Sequence, residues 1–216
     1  MSNITHEVWK IIDNSPSIRK NISLGLVNTS ALARYIIKDK KLNASLDAVI
    51  VAIRRYGVTK HDEIFNKAQK MFGLTINIST KSNLAEVSLI KDTDVQKLLP
   101  KLFSFINYVQ GDVLRVTQAN KSIRLLIDEK DLEKVLELFP KDKIISQIND
   151  LAEINIHIHP DMQKTPGILA LLANELALNN INLVEFITCP PEMLCIVKKE
   201  DLVRASGILY QLADEK

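Results

Sequence analysis

The residues best suited to chemistry in this 216-residue chain lie in its last third. His157 and His159 sit two apart on an expected strand and so share one face, a geometry that can hold a metal ion. Ile154, Ile156 and Ile158 alternate with them and belong on the face covered by helices. That leaves the histidines on the open sheet face beside Glu153 and Asn155, with no third ligand in view, so no metal is expected. Cys189 and Cys195 flank a Pro-Pro turn, match no zinc spacing, and are expected to pack as small apolar residues. Pro166-Gly167 follows the histidines at a strand-to-helix step. Pro166 fits the first helical turn, Gly167 lets backbone come close to a ligand, and the freed N–H groups at a helix start suit a carboxylate. The same pair also makes an ordinary tight turn.

Other catalytic signatures are missing. There is no Gly-x-Ser-x-Gly elbow, no dinucleotide fingerprint and no carboxylate pair with an evident partner, so neither an enzyme nor a bound cofactor is expected. Composition is that of a folded protein: 46% hydrophobic and 25% charged, with 6 Gly, 7 Pro and 2 Cys. A disordered chain, a collagen-like repeat and a disulfide-stapled miniprotein are excluded. No apolar run reaches the roughly 18 to 20 residues of a membrane span, and MSNITHEVWK is no signal peptide; a soluble, cytoplasmic protein is expected. The net charge of +2 hides a gradient. Lys+Arg against Asp+Glu is 12 to 6 over residues 1–72, 11 to 11 over 73–150 and 5 to 9 over 151–216. A basic head of this kind suggests an anionic partner for the N-terminal part.

The elements that must position these residues follow from the hydrophobic period. Up to residue 72 it is helical. Val8, Trp9, Ile11 and Ile12 form one stripe, and Ser15-Pro16 starts a short helix that Gly25 closes. Asn28 or Ser30 caps a helix carrying Leu32, Ala33, Ile36 and Ile37. Another begins near Asn43 to Ser45, buries Leu46, Val49, Ile50 and Ile53 and stops at Gly57, and one more runs from about His61 to Gly73. From residue 74 the period falls to two. TINIST and LAEVSLI read as two strands around a KSN turn, followed by a helix started by Asp94 and interrupted at Pro100, two more strands, DVLRVTQ and SIRLLID, and a closing helix DLEKVLELF.

This order then repeats. Leu84-Ala85-Glu86-Val87 matches Leu151-Ala152-Glu153-Ile154, and Asp131-Leu132 matches Asp201-Leu202, at offsets of 67 and 70 residues. Two duplicated units are indicated. The expected domains are 1–72, 73–142 and 143–216.

Within residues 143–212, several steps resemble the ACT module, and in particular the ACT pairs at the C-terminal end of aspartate kinases. They are HIHPDMQKTPGILALLANELA with its Pro-Asp and Pro-Gly-Ile, Asn180-Ile181-Asn182-Leu183 entering the second strand, the hairpin CPPEMLCIV, and the EDLVRA helix start. Four residues, Met162 to Thr165, stand between Asp161 and Pro166 where the aspartate kinase pattern has one. The first repeat has KDTDVQK at this place and no Pro-Gly, and no part of the chain resembles the kinase catalytic domain. The resemblance implies an α+β protein in which a helical domain precedes two ferredoxin-like βαββαβ ACT units. It also implies a regulatory module that binds an amino acid or similar small metabolite where two ACT units pack, in a homodimer or higher oligomer. The residues it points to are Asp161, Met162, Thr165, Pro166, Gly167, Ile168, Asn180, Ile181 and Asn182, the last three through unpaired backbone.

The helical domain reads as helix-turn-helix-like, with NTSALARYIIKDK first and NASLDAVIVAIRRYG as recognition helix. Lys38, Lys40, Lys41, Arg54 and Arg55 would then meet phosphates while Asn43 and Ser45 reach base edges, and the Thr75–Ile90 strands fit either a wing or the start of the first ACT unit. Solvated basic helix faces give the same pattern, and Asp47 is ill placed for DNA. Two functions are therefore expected: an amino-acid-responsive DNA-binding transcriptional regulator, or a stand-alone regulatory subunit that docks on a biosynthetic enzyme.

Overall fold

Short polar side chains start the N-terminal helices, as their positions predict. In a computed structural model, which describes residues 3–56, 61–104 and 106–214, the Asn28 side chain accepts from Ala31 N and that of Ser45 from Ala48 N. They cap α3 (Thr29–Asp39) and α4 (Leu46–Arg54), which follow α1 (Asn3–Asp13) and α2 (Pro16–Ser23). The expected stop at Gly57 lies outside the described residues. Residues 1–67 form one compact unit. Its core joins Val8 and Ile12 of α1, Leu32, Ala33 and Ile36 of α3, and Val49, Ala52 and Ile53 of α4. Trp9 donates its indole N–H to the Ala52 carbonyl at 2.9 Å and meets Tyr56 edge-on at 6.2 Å, tying α1 to the end of α4.

Residues 68–216 form the second unit, into which the end of α5 (His61–Phe72) leads. Its elements are β1 (Asn77–Ile90), α6 (Thr93–Leu102), β2 (Leu114–Gln118), β3 (Ser122–Asp128), α7 (Leu132–Leu138), β4 (Ile144–His157), α8 (Ile168–Leu178), β5 (Leu183–Cys189), β6 (Glu192–Lys198) and α9 (Leu202–Asp214). Asp92, rather than Asp94, caps α6 by accepting from Val95 N, and the helix ends two residues after Pro100. The α+β class and the repeat are as expected.

The strands differ from expectation. TINIST and LAEVSLI do not form a hairpin, and Thr75–Ile90 is no wing. Residues 77–90 make one 14-residue strand with an irregularity between Lys81 and Leu84, and β4 is a matching 14-residue strand antiparallel to it. The polar KSN segment is spanned because Lys81 still pairs with Glu153 on β4. The six strands run β2-β3-β1-β4-β6-β5.

Each long strand serves both repeats. Residues 84–90 lie between β3 and residues 144–148 of β4, which gives the first repeat its fourth strand. Residues 151–157 lie between β6 and residues 77–81 of β1, which gives the second repeat its fourth. Leu84 and Leu151, equivalent in the repeat, are register partners, so the repeat's twofold axis passes between them. A cut at 142/143 would separate each half from a strand it uses.

Alternation then divides the side chains. Ala85, Val87, Leu89, Ile123, Leu125 and Ile127 face α6 and α7. On the opposite face Leu84, Val113 and Leu126 of the first half cluster with Leu151, Leu194 and Ile196 of the second. The sheet curls so that its non-helical faces meet, and the face expected to be open at Glu153 is closed.

Candidate functional site

Ile154 and Ile156 lie on the helix-covered side of β4, and Ile158 continues that line past the strand's end. The next residues, Pro160–Lys164, form a 3-10 turn whose Met162 points inward and is 2% exposed. This turn accounts for the four residues Met162 to Thr165 between Asp161 and Pro166. Gly167 then takes φ 95° and ψ −11° and α8 begins at Ile168. That backbone is left-handed, which is why glycine stands there. Pro166 accordingly precedes the helix cap instead of occupying the first turn. The amide of Leu171 is the first to bond back into the cap, at 2.8 Å to Gly167 O, and no side chain caps the helix start.

Between this turn and the tip of the β5–β6 hairpin lies a cavity of about 620 Å³. Met162, Thr165, Pro166, Gly167 and Ile168 line it from the turn, together with Ile158, Gln163, Leu169 and Ala170, and Thr188, Pro190 and Met193 line it from the hairpin. The hairpin is held there because Ile158 N donates to Pro191 O at 2.8 Å and Ile156 is the register partner of Met193. Five of the nine residues singled out by sequence are therefore brought together.

The other four are elsewhere. Asp161 is exposed and faces His159, 3.6 Å from its Nδ1, while its carbonyl accepts from Thr165 Oγ1. Asn180, Ile181 and Asn182 lie beyond the far end of α8, roughly 16 Å along an 11-residue helix. The backbone amides of Asn180 and Ile181 are not unpaired as expected. Asn180 N donates to Ala177 O and Ile181 N to Leu176 O, with Asn180 at φ 56° and Ile181 buried beside Leu176. This is a Schellman cap, and it explains Asn180 and Ile181 without a ligand. The residues that the sequence reading missed, Thr188, Pro190 and Met193 above all, come from a hairpin tip that strand register alone brings to the turn.

A second group of buried polar residues lies where the sheet's inner faces meet. Glu153, 3% exposed, accepts two bonds from Arg115 at 3.1 and 3.2 Å. Glu86, its repeat equivalent, is 2% exposed with Arg124 at 3.8 Å, and its Oε2 has no hydrogen-bond partner among the described residues. Arg115 pairs in register with Leu126 and Glu185 with Ile196, so Glu185 stands where the repeat would put a second Arg115. Burial, and then the charge of Glu86, push the Glu185 carboxyl above its ordinary range. Among the described residues no group of three or more His, Cys, Asp and Glu is placed to hold a metal. Burial pushes the Cys195 thiol up to about 12, so it carries no thiolate at neutral pH, and Cys189 is exposed.

The seven residues expected to meet nucleic acid fall into two groups. Lys38, Lys40, Lys41 and Asn43 are exposed around the end of α3, with Lys40 2.7 Å from Asp39 and Lys41 at φ 50°. Arg54 and Arg55 are exposed at the end of α4, roughly 13 Å along that helix from its start. Ser45 is engaged as a cap. Residues 40–45 join the helices, more than the three to four residues of a helix-turn-helix connection. The face of α4 that stays exposed holds Asp47 and Val51 besides the arginines, while Arg34 and Tyr35 join Lys38 on the exposed face of α3.

No protein-family model matches the chain, and no curated protein does. Solved structures match in fold. The ligand-free regulatory subunit of aspartate kinase from Thermus thermophilus superposes with a TM-score of 0.51 at 17% identity, covering 64% of this chain and 97% of that one. The aspartate kinase of Clostridium acetobutylicum gives 0.51 at 18% identity, with 64% of this chain covering 34% of that enzyme. A structure of aspartokinase alpha and beta subunits gives 0.51 at 14% identity, covering 64% and 97%. At these identities the likeness is one of fold: the chain carries the ACT-like architecture of aspartate kinase regulatory regions.

Proposed function

We propose that this chain is a regulatory protein that senses an amino acid or a similar small metabolite in the cavity between the Pro160–Lys164 turn and the β5–β6 hairpin. The cavity carries the proposal. It lies beside the uncapped start of α8, whose free N–H groups and positive dipole end favour a carboxylate, and its volume is that of a small-molecule site. The fold shared with the Thermus thermophilus protein, which is described as a regulatory subunit of aspartate kinase, agrees with a regulatory role. Nothing in the reading requires catalysis or a cofactor. A thermal-shift screen of the full chain against the twenty amino acids tests it: a ligand at about 100 times its Kd stabilises by roughly 2.7 kcal/mol. No shift with any of them, together with no calorimetric binding, rejects the proposal for this ligand class.

The helical unit is the proposed output, acting through a homodimer or higher oligomer. Its excess of Lys and Arg supports DNA as the partner, the linkage being that effector binding favours one arrangement and so alters affinity. Retention on random DNA should then fall steeply with salt. A second reading, docking on a biosynthetic enzyme, is favoured by exposed Leu24 and Leu26, 58% and 72% accessible, and by the engagement of Ser45 in a cap. Absence of DNA binding at low salt decides for it over the first.

A further inference from the structure

Ile158, Met162, Ile168, Leu169 and Met193 make the walls of the cavity apolar. Its polar lining is neutral, from Gln163, Thr165 and Thr188, and among the described residues that line it none is charged. Asp161, the nearest acid in sequence, is exposed outside the lining, and the Thr165 hydroxyl is already donated to the Asp161 carbonyl.

We infer that the effector is an amino acid with an uncharged, apolar side chain of the branched, thioether or aromatic type. This rests on the reading of the cavity as the effector site, and adds to it the class of side chain. An ammonium or carboxylate at the end of an effector side chain would lose its water against isoleucine, leucine and methionine with no opposite charge to replace it. An apolar side chain gains from the same surface. Met162 and Met193 are unbranched and adapt to the shape of what they meet, so the site discriminates on charge more sharply than on branching. The α-carboxylate stays at the uncapped N–H groups of the α8 start, and the α-amino group stays toward the exposed Gln163 and Thr188.

Isothermal titration calorimetry on the full chain compares L-isoleucine, L-methionine and L-phenylalanine with L-lysine and L-aspartate. At least one of the first three is expected to bind roughly tenfold or more tightly than either charged amino acid. Lysine or aspartate binding as tightly as the best apolar one overturns the class while leaving the cavity as an amino-acid site. No binding by any of the twenty overturns the site itself, and the class with it. Leu169→Lys places a charge on the wall from a side chain that is half exposed, so the fold is expected to persist with an unchanged melting curve. It should weaken the apolar ligand roughly tenfold or more. Unchanged affinity in both Leu169→Lys and Thr188→Lys moves the ligand away from this cavity and overturns the inference.

Discussion

Gly167, at φ 95°, holds a left-handed backbone at the start of α8 and lines the cavity proposed as the effector site. Gly167→Ala should lower stability by about 1 to 2 kcal/mol, the cost of a left-handed L-residue, and Gly167→Val by more. Denaturant titration reads the loss, and effector affinity should fall with it; full stability in Gly167→Ala would contradict the backbone assigned here. Arg115 is the counter-charge of a buried carboxylate, so Arg115→Ala leaves Glu153 unpaired. The expected cost is roughly 3 kcal/mol, the low end for such a pair because Arg115 is a third exposed. Glu185 gives a pH signature. Its folded-state pKa is raised above the ordinary 4.5, so the stability linked to its protonated form is fully present below that value and is lost as pH rises through the raised one. Glu185→Gln should therefore gain stability over wild type as pH rises from 4.5 to 7, with the difference vanishing at low pH. Parallel melting-temperature profiles for the two proteins would sink this account.

At the scale of elements, α8 has two ends with different purposes. Its start borders the cavity, and its end is a Schellman cap. Asn180→Gly suits the left-handed position and should leave stability equal or slightly higher, with effector affinity unchanged, whereas Asn180→Val should destabilise by about 1 kcal/mol or more. An affinity loss in Asn180→Gly would return these asparagines to the ligand site. In α4 Val49 and Ile53 are buried as the pattern expects, whereas Leu46 and Ile50 are half-buried and Ala52 joins the core. What the pattern did not contain is that Ser45 is consumed by capping and that α3 carries an exposed cationic and aromatic face, Arg34, Tyr35 and Lys38.

The whole second unit is organised about the Leu84–Leu151 pair. Because residues 77–81 complete the sheet of the second repeat and residues 144–148 that of the first, neither repeat is expected to fold alone. A fragment of residues 68–216 should unfold cooperatively in denaturant, while 68–142 and 84–216 each lack a strand and expose sheet edge, and should aggregate or remain unfolded. Cooperative folding of 68–142 by itself would refute the shared-strand arrangement. The like-charged Glu86 and Glu185, set against the Arg115–Glu153 pair at the equivalent place, show the repeat to be symmetric in backbone and asymmetric in charge.

The sequence by itself determined the local features. Helix period and capping residues located α3 and α4, the 67- to 70-residue repeat located the duplicated units, and the resemblance around the Pro-Gly step pointed to five residues that line the cavity. These are encoded by neighbours within a few positions, where sterics and capping chemistry act directly. The tertiary structure decided the rest. That TINIST and LAEVSLI are one strand, that Glu153 is buried against Arg115, and that Met193 lines the same cavity as Met162 depend on register between segments about 30 to 80 residues apart. Burial and strand pairing are many-body outcomes of packing, and no local pattern carries them.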